Sequence, residues 1–247
     1  IMGIGSKFGI LAETGNNIQT EGLVFYIDSS IKKSYPRTGT NVFNLASGSL
    51  TPTGSLINDV GWEGINPTSS FIFDGTDDYV DVEEMLQLSN VTALTVSLWF
   101  TAASSGNKIL LDFKEGNSRV VVQRIGGKIY LYVNTVYGEY TVSTSLDTWY
   151  HLAYVFDGTG ASDADKLKLY INSTEITDVS FSGTVDSSIG AFSPGFMKCK
   201  IGSLYNNASP STYNWVGKLL NVQIYTKAFT ASDVLQNYNA GKDTFGL

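Results

Sequence analysis

Few side chains in this sequence could do chemistry. Among 247 residues there is one His, His151, and one Cys, Cys199. A single Cys excludes an internal disulfide and a Cys-rich zinc site, and a single His excludes a two-His metal motif. His151 follows Trp149-Tyr150 in an alternating run, and no Ser in a nucleophile-elbow context accompanies it. It therefore reads as a structural imidazole rather than a general base. Carboxylates gather at Asp74, Asp77, Asp78, Asp81, Glu83 and Glu84, and again at Asp157, Asp163 and Asp165. Both groups read as turn and edge acids. A hard cation takes several oxygens, preferably from two or more carboxylates, so Ca²⁺ could be held at Asp74, Asp77 and Asp78. Aromatic and amide side chains crowd one polar loop: Tyr205, Asn206, Asn207, Tyr213, Asn214 and Trp215. Sugar rings stack on Tyr and Trp while their hydroxyls pair with amides, which makes these six the glycan-binding candidates. Tyr and Trp equally suit strands and interfaces. Trp99 and Trp149 read as packing residues.

Strands must position these groups. Residues 23–27 form a short apolar run, 70–73 a second, and Tyr79-Val80-Asp81-Val82 has period two. In residues 94–100, Leu94, Val96, Leu98 and Phe100 point one way, and Thr95, Ser97 and Trp99 point the other. Further runs cover 108–113, 119–124 and 128–133, with Glu115-Gly116-Asn117 and Gly126-Gly127 as hairpin loops. Others cover 138–143, 148–156, 166–171, 174–181, 197–202 and 216–225. Residues 34–69, 158–165 and 186–195 read as loops. About a dozen strands with a turn every 8–12 residues predict a sandwich or barrel. One helix is predicted near the end. Thr230-Ala231-Ser232-Asp233 fits a capping box, Val234, Leu235 and Tyr238 share a face, and Gly241 is a C′ terminator. Residues 1–20 are glycine-bearing and aperiodic and read as an arm or docking segment, with one domain over 21–247.

Composition narrows the partners. The formal charge is −7, and the 16 Lys and Arg never cluster beyond Lys32-Lys33. Phosphate backbones and anionic membranes demand concentrated cations, so no nucleic acid and no membrane are expected. No stretch approaches the ~18 apolar residues of a span. Ile1 to Lys7 show no basic region leading into an apolar one, so no secretory signal is expected. Small hydroxyls abound, with 27 Ser and 23 Thr. They fill the loops and the arm, where assembly or sugar contacts would be made.

Several segments together resemble the concanavalin A-like lectin/glucanase superfamily, in its laminin G-like jelly-roll branch. They are Gly22-Leu23-Val24-Phe25-Tyr26-Ile27-Asp28, Phe73-Asp74-Gly75-Thr76-Asp77-Asp78-Tyr79-Val80, Thr95-Val96-Ser97-Leu98-Trp99-Phe100 and Trp149-Tyr150-His151-Leu152-Ala153. Leu167-Lys168-Leu169-Tyr170-Ile171-Asn172 looks like the family strand entering an Asn-Gly turn, with Ser173 in place of the Gly. The closing text from Gly217 through Tyr225, Lys227-Ala228-Phe229-Thr230 and Asp233 to Ala240 looks like virion proteins of tailed phages, including marine ones.

The resemblance implies an all-β jelly-roll sandwich of two antiparallel sheets with one short C-terminal helix. Glucanases of the superfamily carry Glu-x-Asp-x-x-Glu on one strand, and no such motif occurs here. Many relatives bind Ca²⁺ through loop oxygens. The matching loops would offer Glu115 and Asn117, with Asn206 and Asn207, and Asn221 stands where relatives often have Asp. The expected function is a non-enzymatic virion structural protein, located on the particle surface. It would be a capsid decoration, collar or fibre-associated subunit, oligomeric within an assembly and contacting other virion proteins through the arm. Host-surface glycans are a further partner, and no cofactor is required beyond optional Ca²⁺. A carbohydrate-binding adhesin of a tail fibre or cell surface is the alternative, ahead of a polysaccharide hydrolase or lyase.

Overall fold

The structure is a computed structural model and describes residues 17–46, 53–64, 69–205 and 212–245. In chain order its first strands are β1 (Leu23–Asp28), β2 (Asn41–Val42), β3 (Gly54–Ile57), β4 (Gly61–Glu63), β5 (Ser70–Asp74), β6 (Tyr79–Val82), β7 (Ala93–Ala102) and β8 (Lys108–Glu115). Next come β9 (Ser118–Ile125), β10 (Lys128–Val133), β11 (Val136–Thr141), β12 (Tyr150–Asp157), β13 (Leu167–Ile171), β14 (Thr174–Ile176), β15 (Val179–Phe181), β16 (Lys198–Ile201) and β17 (Val216–Tyr225). Helix α1 (Asp163–Lys166) lies between β12 and β13, and helix α2 (Ala231–Lys242) follows β17.

Two antiparallel sheets form the sandwich. One runs β14-β13-β12-β7-β17-β5-β4, and β1 joins it on β17. β17 serves both neighbours along one edge: Val216 to Leu219 pair with β5, and Asn221 to Tyr225 pair with β1. The other sheet has nine strands in the order β15-β11-β10-β9-β8-β16-β6-β3-β2. The period-two pattern decides what each strand buries. On β7, Leu94, Val96, Leu98 and Phe100 enter the core between the sheets. Facing them from the nine-stranded sheet are residues such as Phe113, Val120, Val122, Ile129 and Leu131.

The remaining face of β7 meets α2. Thr95 Oγ1 donates to Lys227 O and accepts from Phe229 N, fixing the approach to the helix. Thr230 and Asp233 form the predicted capping box. The buried helix face differs from the predicted one. Val234 and Asn237 are buried and Tyr238 stacks on Trp99, whereas Leu235 is 46% exposed. Gly241 is a second correction. It lies inside α2 rather than beyond it, and an added Cβ would come within 2.5 Å of Trp99 Nε1. Close packing on the indole, not helix termination, requires this glycine.

Three short strands, β2, β3 and β4, occupy the 34–69 stretch that reads as loop. They carry no long alternating run of their own and are held by pairing with β6 and β5. The 174–181 run divides, with β14 in one sheet and β15 in the other. The polar 158–165 loop contains α1, whose Ser162 and Asp165 form a capping box of their own. The expected docking arm falls largely on residues 1–16, outside the described residues. Its last part packs on α2: Gln19 N donates to Asn237 Oδ1 at 2.8 Å, and the Gln19 amide donates to Asp233 and Gln236.

Candidate functional site

The aromatic loop does not form a sugar platform as a group. Trp215 is fully buried and packs edge-on against Phe100, with centroids 5.8 Å apart. Asn214 is buried as well, accepting from Ser203 Oγ at 2.6 Å and donating to Thr76 O at 2.5 Å. Neither can stack on or reach a sugar from solvent, and both serve packing. Tyr205 and Tyr213 are half-buried. Asn206 and Asn207 lie outside the described residues.

The metal candidates separate into two places. β16 pairs antiparallel with both β6 and β8, setting Ile201 beside Val80 and Leu111, and Lys198 beside Lys114. The turn before β6 therefore lies at one end of the sheet, and Glu115 and Asn117 lie at the other. Glu115 Oε2 accepts from Ser193 N at 2.5 Å, and Asn117 is exposed at the hairpin tip. Asp74, Asp77 and Asp78 do come together, with carboxylate oxygens within 4.8 Å of one another. Two of these carboxylates also brace the turn, since Asp74 accepts from Thr76 N and Asp78 from Asp74 N. Burial pushes the Asp78 carboxyl up, and repulsion from Asp74, Asp77 and Asp59 adds to it. Three crowded carboxylates are a donor set of the kind a hard cation uses.

His151 is buried beneath α2. Its Nε2 lies 2.9 Å from Ser97 Oγ, and its Nδ1 has no hydrogen-bond partner. Burial pushes its pKa down to about 3, so the ring is neutral at physiological pH. A serine–histidine contact exists, but Ser97 is buried and, among the described residues, no carboxylate orients the imidazole. Around it, Asn237 Nδ2 donates to Gln223 Oε1 at 2.8 Å and to the Tyr225 hydroxyl at 3.0 Å. This network docks the helix.

A different surface gathers accessible polar and aromatic groups. Both helices pack against the eight-stranded sheet, α1 on β12 and β13 and α2 through Trp99 and Gln223. The outward positions of β10 and most of those of β11 stay half-exposed. On β10, Ile129, Leu131 and Val133 fill the core, so Lys128, Tyr130 and Tyr132 face out. On β11, Tyr137 and Glu139 do the same. Tyr137 lies 5.4 Å from Tyr130 and 5.1 Å from Tyr132 between ring centroids, which makes a three-ring shelf. Burial, with Glu139 beside it, pushes the Tyr130 phenol up to about 12, leaving it a hydroxyl donor at neutral pH.

Charge borders the shelf. Arg119 lies over Tyr132 at 5.6 Å and grips the fully buried Asp112 with two hydrogen bonds of 2.8 and 3.0 Å. Asp112 also accepts from Tyr205 N at 2.9 Å. Lys200 Nζ stands 3.8 Å from the centre of the Tyr79 ring and 5.8 Å from that of Tyr205. Of the described loop candidates, Tyr205 thus touches this face. An open cleft of about 470 Å³ continues it between β6 and β16, lined by Asp81, Glu83, Glu84, Leu86, Met197 and Lys198. The signal was present in the sequence as alternating Lys-Ile-Tyr-Leu-Tyr-Val over 128–133. What was missing was the knowledge that, among the described residues, no helix packs over the outward side of β10 and β11.

The sequence profile of the concanavalin A-like lectin/glucanases superfamily matches residues 74–235. The chain belongs to this superfamily. No curated protein sequence matches it. Among solved structures it is similar to Trypanosoma rangeli sialidase in complex with sialic acid, with 16% identity and a TM-score of 0.64. That match covers 95% of this chain and 35% of the sialidase. It is also similar to the binding domain of Paraclostridial Mosquitocidal Protein 1, at 13% identity and a TM-score of 0.62, covering 90% of this chain and 52% of the other. The binding domain of botulinum neurotoxin DC in complex with SialylT matches at 13% and 0.59, over 90% and 52% of the two chains. This superfamily member therefore spans about a third to a half of the length of these neighbours, and the likeness concerns the fold.

Proposed function

We propose that this chain is a non-enzymatic carbohydrate-binding protein that uses the outward face of its nine-stranded sheet. The observation that carries this reading is the shelf of Tyr130, Tyr132 and Tyr137, bordered by the Asp112–Arg119 pair. Tyrosine rings offer apolar faces to sugar C–H groups, and their hydroxyls, with fixed charged side chains alongside, pair with sugar hydroxyls. Support also comes from two structural neighbours held in complex with sialic acid or SialylT. The buried, neutral His151 and the absence of a glucanase-type carboxylate strand favour binding over hydrolysis. The resemblance of the closing residues to phage virion proteins supports a position on a particle surface, as a decoration, collar or fibre-associated subunit. There it would present this face to a host glycan. Ca²⁺, where bound, would be held by Asp74, Asp77 and Asp78 and would neutralise their repulsion.

A glycan array of the full chain, with and without Ca²⁺, tests the reading. Tyr132→Ala and Tyr137→Ala are each expected to weaken binding about tenfold, a loss of about 1.4 kcal/mol. Binding to no sugar overturns it. Release of reducing ends from a bound polysaccharide overturns the non-enzymatic part.

A further inference from the structure

The strand register carries an inference that rests on the carbohydrate-binding reading and deepens it. Lys198 on β16 pairs directly with Lys114 on β8, and Lys114 pairs directly with Arg119 on β9. Three cations thus stand in one row across three adjacent strands. Like charges directly opposite each other in a sheet are destabilising. Arg119 is compensated by Asp112, but Lys114 and Lys198 take no ion pair among the described residues. Of the carboxylates near this end of the sheet, Glu115 accepts from Ser193 N and Glu84 from Gly195 N, while Asp81 and Glu83 line the cleft beside Lys198. The row is unusual in a chain of formal charge −7. Adjacent like charges whose lysines take no ion pair mark a place where an external anion can supply the compensation.

The geometry points to an anionic sugar as the ligand. Its carboxylate or sulfate would lie on the Lys198–Lys114–Arg119 row. Its ring would lie on the tyrosine shelf, which the row reaches through the contact of Arg119 with Tyr132. The row supplies point charges from two lysines, and the one bidentate fork, on Arg119, is held by Asp112. The site therefore selects for negative charge rather than for one planar acid. Acidic residues at the cleft side, Asp81, Glu83 and Glu84, confine the anion to the β8–β9 side of β16.

Two matched polymer pairs separate the outcomes in affinity electrophoresis with the full chain. Polygalacturonate against its methyl ester varies carboxylate charge, and dextran sulfate against dextran varies sulfate charge. The wild type is expected to bind one or both acidic members at least about tenfold more tightly than the neutral partner, with binding that weakens as salt rises. Which pair responds identifies the anion. Lys114→Gln with Lys198→Gln is expected to cut acidic affinity about tenfold and flatten the salt dependence. Its thermal midpoint should not fall, because the substitution relieves like-charge repulsion. Equal binding of acidic and neutral members, or full acidic affinity in the folded double variant, overturns this inference and leaves the carbohydrate reading standing. Failure to bind these polymers or any arrayed sugar overturns both.

Discussion

Protonation of His151 is predicted to couple directly to unfolding. In the folded protein burial holds its pKa near 3, against 6.5 for the free side chain. The unfolded chain therefore binds this proton first as pH falls. The stability associated with neutral His151 is complete above about pH 6.5 and is lost progressively toward pH 3. The difference between the two pKa values sets the size: about 2 kcal/mol at pH 5 and up to roughly 5 kcal/mol below pH 3. Other groups titrate in the same range. The buried Asp28 carboxyl is pushed up by desolvation, so its contribution runs in the opposite direction, favouring the folded state at low pH. A variant cancels such shared terms. His151→Gln keeps a polar group facing Ser97 and removes the proton. Urea unfolding of both proteins at steps from pH 7.5 to pH 4.5 gives the difference in stability at each step. That difference should shift in favour of the variant by about 2 kcal/mol on reaching pH 5. Parallel stability curves would refute the reasoning. They would mean that His151 takes up its proton normally in the folded state, and a solvent-connected Ser97–His151 pair would reopen the case for acid–base chemistry.

Two backbone positions give sharper tests of packing. Alanine in place of glycine within a helix ordinarily stabilises by about 0.5–1 kcal/mol. At Gly241 the new Cβ would meet the Trp99 indole, so Gly241→Ala is expected to lower stability by about 1–3 kcal/mol, read by thermal melting. Ser173→Gly should do the opposite. Asn172 and Ser173 form the two-residue turn between β13 and β14 with φ of 48° and 63°, and glycine enters this region without strain. A gain of up to about 1 kcal/mol in the unfolding free energy is expected.

These turns and strands indicate how far the sequence can be read. Ser173 was recognisable as a departure from an Asn-Gly turn because the turn's φ requirement is local. The division of β7 into core and helix-facing sides was legible for the same reason: alternation in one strand is a local property. Leu235 and Gly241 were misread because their environment depends on where α2 crosses Trp99, which no spacing within the helix specifies. Trp215 looked like a sugar platform by composition, yet just ahead of β17 it packs against Phe100, a contact between residues more than a hundred positions apart. The proposed binding face was missed for a related reason. Its tyrosines and cations come from β8, β9, β10, β11 and β16, and only the register between strands sets them side by side.

The two outer faces of the sandwich treat polarity in opposite ways, and that contrast supports a binding role for one of them. Under α2 the polar groups are internally matched except at His151 Nδ1: Asn237, Gln223, Tyr225 and Ser97 bond to one another, and Gln19 closes the set. Such a network specifies how the helix docks, because leaving any buried member unpaired costs about 1–3 kcal/mol. Over the nine-stranded sheet the matching stops partway. Asp112 is fully buried and fully engaged, which holds Arg119 and the Tyr205 backbone in place, while the adjoining Lys114 and Lys198 have no ionic partner among the described residues. A rigid inner set supporting an unsatisfied outer set is the arrangement a recognition surface needs, since pre-organised groups lose little entropy when a ligand arrives. The helix seals one face for stability, and the register of the other leaves charge and aromatic surface available for a partner.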